Sequence, residues 1–258
     1  MRGMMNCSLN GEWLLGVDER ICIENIEEET FMNPETEKRA WYGEYLLNAA
    51  VPDTRQITVT FMIKERDRAL RNNVLQRLPA WAKDGFMQVR SRPGQRIYVR
   101  CTQLYKVNTF KWTDRMKMVF TAFGEACWED ITPTTLTVEN TANASGTITP
   151  KGNRACFLEA EIKNVSNSPL TSVTLAANGK APISLSGLNV AKNSTVTFTY
   201  DSSEDHILSI RAGGASALSN RTSSSPDDLL LTPDRGNTVS CETDVACTTT
   251  FSARGLWR

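Results

Sequence analysis

From residue 131 to residue 258 the chain contains no stretch of helical hydrophobic period, and short β-rich runs return about every ten residues. The runs are 135–139, 156–163, 172–176, 183–185, 195–200, 207–211, 238–241 and 248–253. Turn formers separate them, among them Asn178-Gly179, Ser186-Gly187 and Arg235-Gly236-Asn237. Strands this short bury an apolar face only by stacking sheet on sheet, so the spacing predicts an antiparallel β-sandwich. No internal repeat converts that reading into a solenoid.

The preceding part is built from different residues. Residues 1–130 hold five of the six Trp and 11 Ser+Thr, whereas residues 131–258 hold one Trp and 36 Ser+Thr. Two residue stocks of this kind predict two domains, 1–130 and 131–258, joined in Trp128-Glu129-Asp130-Ile131-Thr132-Pro133-Thr134-Thr135.

In the first domain, Ile57, Val59, Phe61 and Ile63 alternate with Thr58 and Thr60, the period of a half-buried strand over 55–64. A helix over about 67–82 follows. It places Leu70, Val74, Leu75, Leu78 and Trp81 near one face, with Arg68, Arg71 and Arg77 mostly outside it and Pro79 ending or kinking it early. Strands at 86–90 and 95–101 flank the turn Arg92-Pro93-Gly94, and further strands are expected near 104–107 and over 115–123. The fold class is therefore mainly β: an N-terminal β-sandwich-like domain with one α-helix, then a C-terminal β-sandwich.

Charge and cysteine content narrow the function. Twenty-nine Lys+Arg balance 29 Asp+Glu, so the net-positive signature of a protein that grips nucleic acid phosphates is missing. No run approaches the roughly 20 apolar residues of a membrane span. No apolar segment precedes Glu12, so no secretory signal is expected, with Met1, Met4 and Met5 as alternative starts. Seven irregularly spaced Cys (7, 22, 101, 127, 156, 241, 247) without a CxxC pair suit neither a disulfide framework nor a zinc site. Reduced thiols packed as small hydrophobes fit better.

Catalytic constellations are equally scarce. Ser-His or Cys-His chemistry has one candidate base, His206, in the polar turn Asp201-Ser202-Ser203-Glu204-Asp205-His206, with no GxSxG elbow or Cys signature beside it. One His also excludes HExxH and multi-His metal sites. Asp201, Ser203 and Asp205 mimic the first ligands of a calcium loop, but His206 stands at the glycine position and Ala212 at the final glutamate, so turn capping explains them better. The acids Glu27, Glu28, Glu29, Glu35, Glu37, Asp227 and Asp228 supply carboxylates for glycoside hydrolysis, yet runs of this kind read first as solvated edges that discourage aggregation. No GxxxxGK[ST] or GxGxxG loop is present, and the sequons at Asn6, Asn143, Asn164, Asn193 and Asn220 are matches that a Ser/Thr-rich chain makes by chance. Trp41, Trp81, Trp112 and Trp128 lie in amphipathic contexts suited to core or interface packing, and Trp257 is placed to pack back on a sheet. No catalytic, cofactor-binding or metal-binding residue is assigned, no binding residue is singled out, and the chain is not read as an enzyme.

The order of these elements resembles a known family. The strand R-x-I-x-V-x-F-x-I (Arg55 to Ile63), the helix ending Leu78-x-x-Trp81, the Pro-Gly hairpin from Phe86 to Cys101, and the strand leading through Phe120-Thr121-Ala122-Phe123 to Trp128 resemble the N-terminal domain of the distal tail (Dit) proteins of long, non-contractile-tailed bacteriophages. The second half resembles the galectin-like or carbohydrate-module-like sandwich that follows it: Gly152-Asn153-Arg154-Ala155 opening a strand, Asn178-Gly179, Leu185-Ser186-Gly187-Leu188, Thr197-Phe198-Thr199-Tyr200-Asp201 and the Gly236-Asn237 turn. The resemblance implies a hexameric ring of N-terminal domains, joining the tail tube protein to the tail-tip proteins, with DNA passing through the lumen unread. It implies peripheral C-terminal domains that dock receptor-binding proteins or touch cell-wall glycan, and a virion (phage tail tip) component made in the bacterial cytoplasm. A carbohydrate-binding adhesin without a ring role is the alternative from another functional class.

Overall fold

The computed structural model describes residues 5–33, 36–39, 43–46, 51–123, 127–201 and 206–257, with side chains described outside 30–54 and 123. Trp41 and Glu35 lie outside the described residues, as do Ser203 and Asp205 of the calcium-like turn. The chain divides into two compact units, Met1–Trp128 and Glu129–Arg258. The fold is mainly β and antiparallel. Among the described residues no helix is long and apolar enough to cross a membrane.

The first unit opens with the hairpin β1 (Cys7–Leu9) and β2 (Glu12–Trp13), then one helical turn, α1 (Leu14–Val17). Its long elements are β3 (Ile21–Asn33), β6 (Val51–Lys64), α2 (Arg68–Trp81), β7 (Gly85–Val89), β8 (Gln95–Phe110) and β9 (Thr113–Phe123). Between β3 and β6, β4 (Thr36–Arg39) and β5 (Gly43–Leu46) form a separate two-stranded ribbon. The strand order is β2-β1-β7-β8-β9-β6-β3.

β8 is where the sequence-based expectation of two strands, 95–101 and 104–107, gives way to one. Its start pairs with β7 (Met87 to Ile97, Gly85 to Val99), and from Arg100 to Phe110 it pairs with β9. Register shifts between Cys101 and Gln103 and between Lys106 and Asn108 let one strand bend from one sheet into the other. The alternation in β6 works as expected: Ile57, Val59 and Phe61 stand opposite Phe120, Met118 and Met116, and all six are buried. Burial of this apolar face stabilises the unit by about 25 cal/mol per Å² removed from water.

Helix α2 covers that face. Asp67 caps it by accepting the Ala69 N–H at 2.7 Å, and Val74, Leu78 and Trp81 are buried. The Trp81 ring stands edge-on to Phe120 at 6.1 Å, and its Nε1 donates to the Glu12 carbonyl at 2.9 Å. Two details depart from the sequence reading. Arg71 is buried and Leu70 is exposed, because the inward stripe is 71-74-78-81, with three- and four-residue steps, and Asp114 of β9 waits opposite its first position. Arg71 Nε lies 3.3 Å from the Asp114 carboxylate, which Lys106 Nζ also meets at 3.0 Å. Pro79 does not stop the helix before Trp81, since in the last turn its missing N–H costs a single bond, and Ala82 N closes on the Leu78 carbonyl at 2.8 Å.

The second unit is organised by two very long strands. β10 (Trp128–Asp130) leads in, and β11 (Thr134–Ile148) pairs along its length with β20 (Asn237–Ala253). Between them in sequence lie β12 (Cys156–Phe157), β13 (Glu159–Asn164), β14 (Val173–Ala177), β15 (Ile183–Leu185), β16 (Thr195–Asp201), β17 (Ile207–Ala212), β18 (Ala215–Ser216) and β19 (Leu230–Leu231). β21 (Leu256–Trp257) ends the unit. The runs expected at 238–241 and 248–253 are thus one strand. The first half of β20 pairs with β14 and the second with β13, giving the order β15-β14-β20-β13-β16-β17-β18.

β11 folds back over itself. A Cβ placed on Gly146 would lie 2.5 Å from Leu136 Cδ2, although ten extended residues span roughly 33 Å. The bend falls at the register shifts between Val138 and Asn143, where Asn140 adopts a φ of +54°. β20 bends with it, since the Thr249 side chain reaches the Cys241 thiol from eight residues along the same strand. The two halves of one ladder therefore become the two layers of a sandwich around Phe198, Phe251, Ile162, Leu175 and Val196, all fully buried.

Gly152, expected to open a strand, instead forms isolated bridges against the C-terminal segment, and β12 starts only at Cys156. Its φ is +129°, and a Cβ there would meet the Leu256 carbonyl oxygen at 2.5 Å. Replacing Gly152 by Ala is expected to cost about 3 kcal/mol in denaturant unfolding, through backbone strain and collision with main-chain atoms that cannot turn aside.

In the first unit, Asp114→Ala leaves Arg71 buried without its carboxylate and is expected to cost about 3–5 kcal/mol. Burial alone would raise the Asp114 pKa, but Lys106, Thr109 and Arg71 together hold it below the ordinary aspartate value. Its stabilisation is therefore complete above the unfolded pKa of about 4 and is lost as pH falls through the lower folded value. Stability measured against pH should show that acid-side loss in the parent and not in Asp114→Ala.

Candidate functional site

The second unit holds the lone histidine in a small built pocket. β16 and β17 form a hairpin in which Asp201 pairs with Ile207, and His206 sits at its end with φ +58° and its N–H on the Asp201 carbonyl at 2.8 Å. The His206 ring stacks on Phe157 at 4.9 Å, and Phe157 stacks on Tyr200 at 4.6 Å, so three rings form one pile. Glu129, Glu159, Arg254 and Leu256 complete the lining. Burial pushes the Tyr200 phenol up to about 12, outweighing the opposing effect of the Leu229 N–H that it accepts at 3.2 Å.

This arrangement packs side chains and does not present them to a ligand. About 20 Å³ of the pocket is wide enough for a water molecule, room for one. Tyr200 and Phe157 are spent on each other, Glu159 accepts the Tyr200 N–H at 3.2 Å, and Arg254 donates to the carbonyls of Asp130 and Ile131. Every other aromatic ring of this unit is at least half-buried among the described residues, so it lacks the open platform on which sugars stack.

The acids singled out in sequence do not converge on a cleft. Glu27, Glu28 and Glu29 lie on β3, the outermost strand of its sheet. Glu28 turns back as a structural tie, forming an ion pair with Arg55 at 3.0 Å and accepting hydrogen bonds from Arg92 at 3.1 Å and the fully buried Trp128 indole at 3.0 Å. Asp227, 2.6 Å from Arg221, is almost entirely in solvent. Of Glu37, only the backbone, in β4, is described. Among the described residues no group of three His, Cys, Asp or Glu is placed to hold a metal ion.

Asn164 and Asn237 are polar residues whose structural role the sequence reading missed. Asn164, one of the sequons, is fully buried, donates to the Ser168 and Val190 carbonyls at 2.9 Å each, and accepts the Ser166 N–H. Asn237 binds Thr232 through both ends of its amide and ties Asn178 to the same turn. The signal available was an Asn inside or bordering a β-run, where an unpaired amide would be too costly to bury.

Four of the exposed large apolar residues described in the first unit gather at the tip of the β8–β9 hairpin, while Met5, Trp13 and Leu70 are exposed elsewhere. Beyond Leu104 the β8–β9 hairpin is open on β8, whose residues from Tyr105 to Phe110 are all exposed, and Trp112 follows in the turn. Tyr105, Val107, Phe110 and Trp112 are 42–56% exposed. Arg66 and Lys111 both lie over the Trp112 ring, at 5.2 and 5.0 Å. This surface therefore combines exposed aromatic rings with cations.

No protein-family model matches the chain, and no curated protein matches it in sequence. Solved structures do match. They place the architecture among phage tail hub and baseplate chains. One is the SPP1 Dit (gp 19.1) protein, described as a paradigm of the hub adsorption apparatus in phages that infect Gram-positive bacteria: 97% of this chain and 98% of that one align with a TM-score of 0.67 and 10% identity. The activated phage P2 baseplate aligns in its Ca form over 97% of both chains (TM-score 0.51, 7% identity) and in its Sr form over 98% of both (TM-score 0.53, 7% identity). The chain has a Dit-like fold across its whole length.

All seven cysteines are free thiols. Burial pushes Cys7, Cys156 and Cys241 up to about 12 and raises Cys247 as well. A thiol reagent at pH 8 should leave these four unmodified in the native protein and label them on unfolding, as read by mass spectrometry of the digested protein.

Proposed function

We propose that this protein is a structural hub of a phage or prophage tail tip. Its first unit assembles into a six-membered ring that joins the tail tube to the tail-tip or baseplate proteins, and DNA passes through the lumen without sequence recognition. The second unit stands as a peripheral platform that docks other tail proteins, receptor-binding proteins in particular. The protein acts in the virion, after assembly in the host cytoplasm, and performs no catalysis.

The observation that carries this reading is the full-length alignment of both units with a Dit hub protein. The chemistry of the chain agrees with it. The only histidine is stacked in a pocket with room for one water, the buried thiols are driven toward inertness, and the open apolar surface lies on a strand edge suited to protein assembly. A glycan-binding adhesin lacks a comparable observation, because the second unit presents no exposed aromatic ring among the described residues.

Native mass spectrometry of the full-length protein, with negative-stain images of the same sample, is expected to show a six-copy species with a central hole. A monomer at every concentration overturns the ring reading.

A further inference from the structure

We infer that Asn10 and Asn178 are sites of spontaneous covalent modification, deamidation through a cyclic imide, and that the fold holds both amides out of that reaction until their turns open. In an Asn-Gly dipeptide the attacking nitrogen belongs to a residue without a side chain, so the reaction meets little hindrance. The chain has two such dipeptides, Asn10-Gly11 and Asn178-Gly179, one in each unit. All four residues are exposed.

The two turns are built alike. Asn10-Gly11 joins β1 to β2, where Leu9 pairs with Glu12, and Asn178-Gly179 follows β14, where the Lys180 N–H closes on the Ala177 carbonyl at 3.0 Å. The φ values are +51° and +86° in the first turn and +51° and +67° in the second, the positive pair that a type I′ turn requires. In each, one Asn serves both backbone groups of a residue on another strand. Asn10 N–H donates to the Phe86 carbonyl at 2.9 Å, and Asn10 Oδ1 accepts the Phe86 N–H at 3.1 Å. Asn178 does the same with Thr238, at 2.8 and 3.1 Å. The other end of each amide is bound as well: Asn10 Nδ2 donates to the Asp84 carbonyl at 3.2 Å, and Asn178 Nδ2 to Asn237 Oδ1 at 2.9 Å.

The chemistry needs only one copy of the chain and water, and so stands apart from the ring. The glycine nitrogen attacks the Asn Cγ, its proton passes to the departing nitrogen, ammonia leaves, and a five-membered imide remains. Water then opens the imide at either carbonyl, giving aspartate or isoaspartate. Attack requires the amide to turn back over its own chain, onto the next peptide nitrogen. Both amides are turned across to a neighbouring strand and tied at both ends, so local opening must come first.

At Asn10 the product undoes its own site. A carboxylate oxygen replaces the Nδ2 donor and stands against the Asp84 carbonyl, two acceptors without a proton between them. Isoaspartate also lengthens the main chain of a two-residue turn. The Glu12 carbonyl, just beyond that turn, accepts the Trp81 indole N–H, so the loosening reaches α2.

Peptide mapping by mass spectrometry, with fragmentation that separates isoaspartate from aspartate, measures both sites in the full-length parent, native and in urea, and in Gly85→Ala. A Cβ at position 85 collides with the Asn10 amide and leaves Asn178 untouched, so Asn178 is the internal control. Both sites are expected to react at least about tenfold more slowly in the native parent than in urea. Gly85→Ala is expected to bring Asn10 toward its rate in urea while Asn178 keeps its native rate. No reaction at either site in urea overturns the sites, and equal rates in native protein and urea overturn the protection by the fold. An Asn10 that stays slow in a folded Gly85→Ala variant overturns the role of its side-chain ties. Should that variant fail to fold, Asn178 accelerates with Asn10, and hydrogen exchange in the parent decides: across a denaturant series, exchange of the Phe86 and Thr238 N–H groups should rise in step with deamidation at Asn10 and Asn178. Deamidation that does not follow this exchange overturns the inference.

Discussion

Backbone hydrogen bonding along strands longer than the layers they serve is the constraint from which both units follow. A strand of 15 to 17 residues cannot remain in one flat, half-buried layer of a unit this size, and its peptide groups cannot be left unpaired. The chain bends such strands and lets each half pair in a different layer. β8 does this in the first unit through two register shifts, and β11 and β20 do it together in the second. Every other element takes its place from those bends: β7, β1 and β2 on one side of β8, and the β14 and β13 neighbourhoods on the two halves of β20.

Polar ties then hold the bent frame where apolar packing alone would leave freedom. Arg71, Asp114 and Lys106 join helix, central strand and hairpin at one carboxylate. Glu28 gathers Arg55, Arg92 and Trp128 at the other end of the same sheet. In the second unit Asn164 and Asn237 perform this role without charge, and Asp244 accepts from the Thr171 and Ser172 backbone to hold the approach to β14. The hydrogen-bonding capacity of these groups is spent on the fold, and among the described residues no three His, Cys, Asp or Glu side chains are placed to hold a metal ion.

Exposed strand edges are a liability, because their unpaired N–H and C=O groups template further pairing. β3 and the hairpin half of β8 manage that liability with charge and exposed aromatic rings, while the edges β2, β15 and β18 are only two, three and two residues long. Charge on an edge opposes random pairing but permits pairing with a surface of opposite sign.

Local patterns in the chain determined much of this architecture. The alternation around Ile57 to Ile63, the apolar spacing of α2, and the ten-residue rhythm of turns after residue 130 each depend on neighbours within a few residues, so they were readable directly. Tertiary structure decided what depends on distant partners. Arg71 lies inward because Asp114, forty-three residues later, meets it, and the expected strands at 95–101 and 104–107 merge because β9 supplies a continuous ladder. The burial of Asn164 and the division of the acids into the tied Glu28 and the open Glu27 and Glu29 follow the same rule. A side chain's chemistry belongs to the sequence, but whether that chemistry is spent inside the fold or left at an edge is set by contacts that only the folded chain brings together.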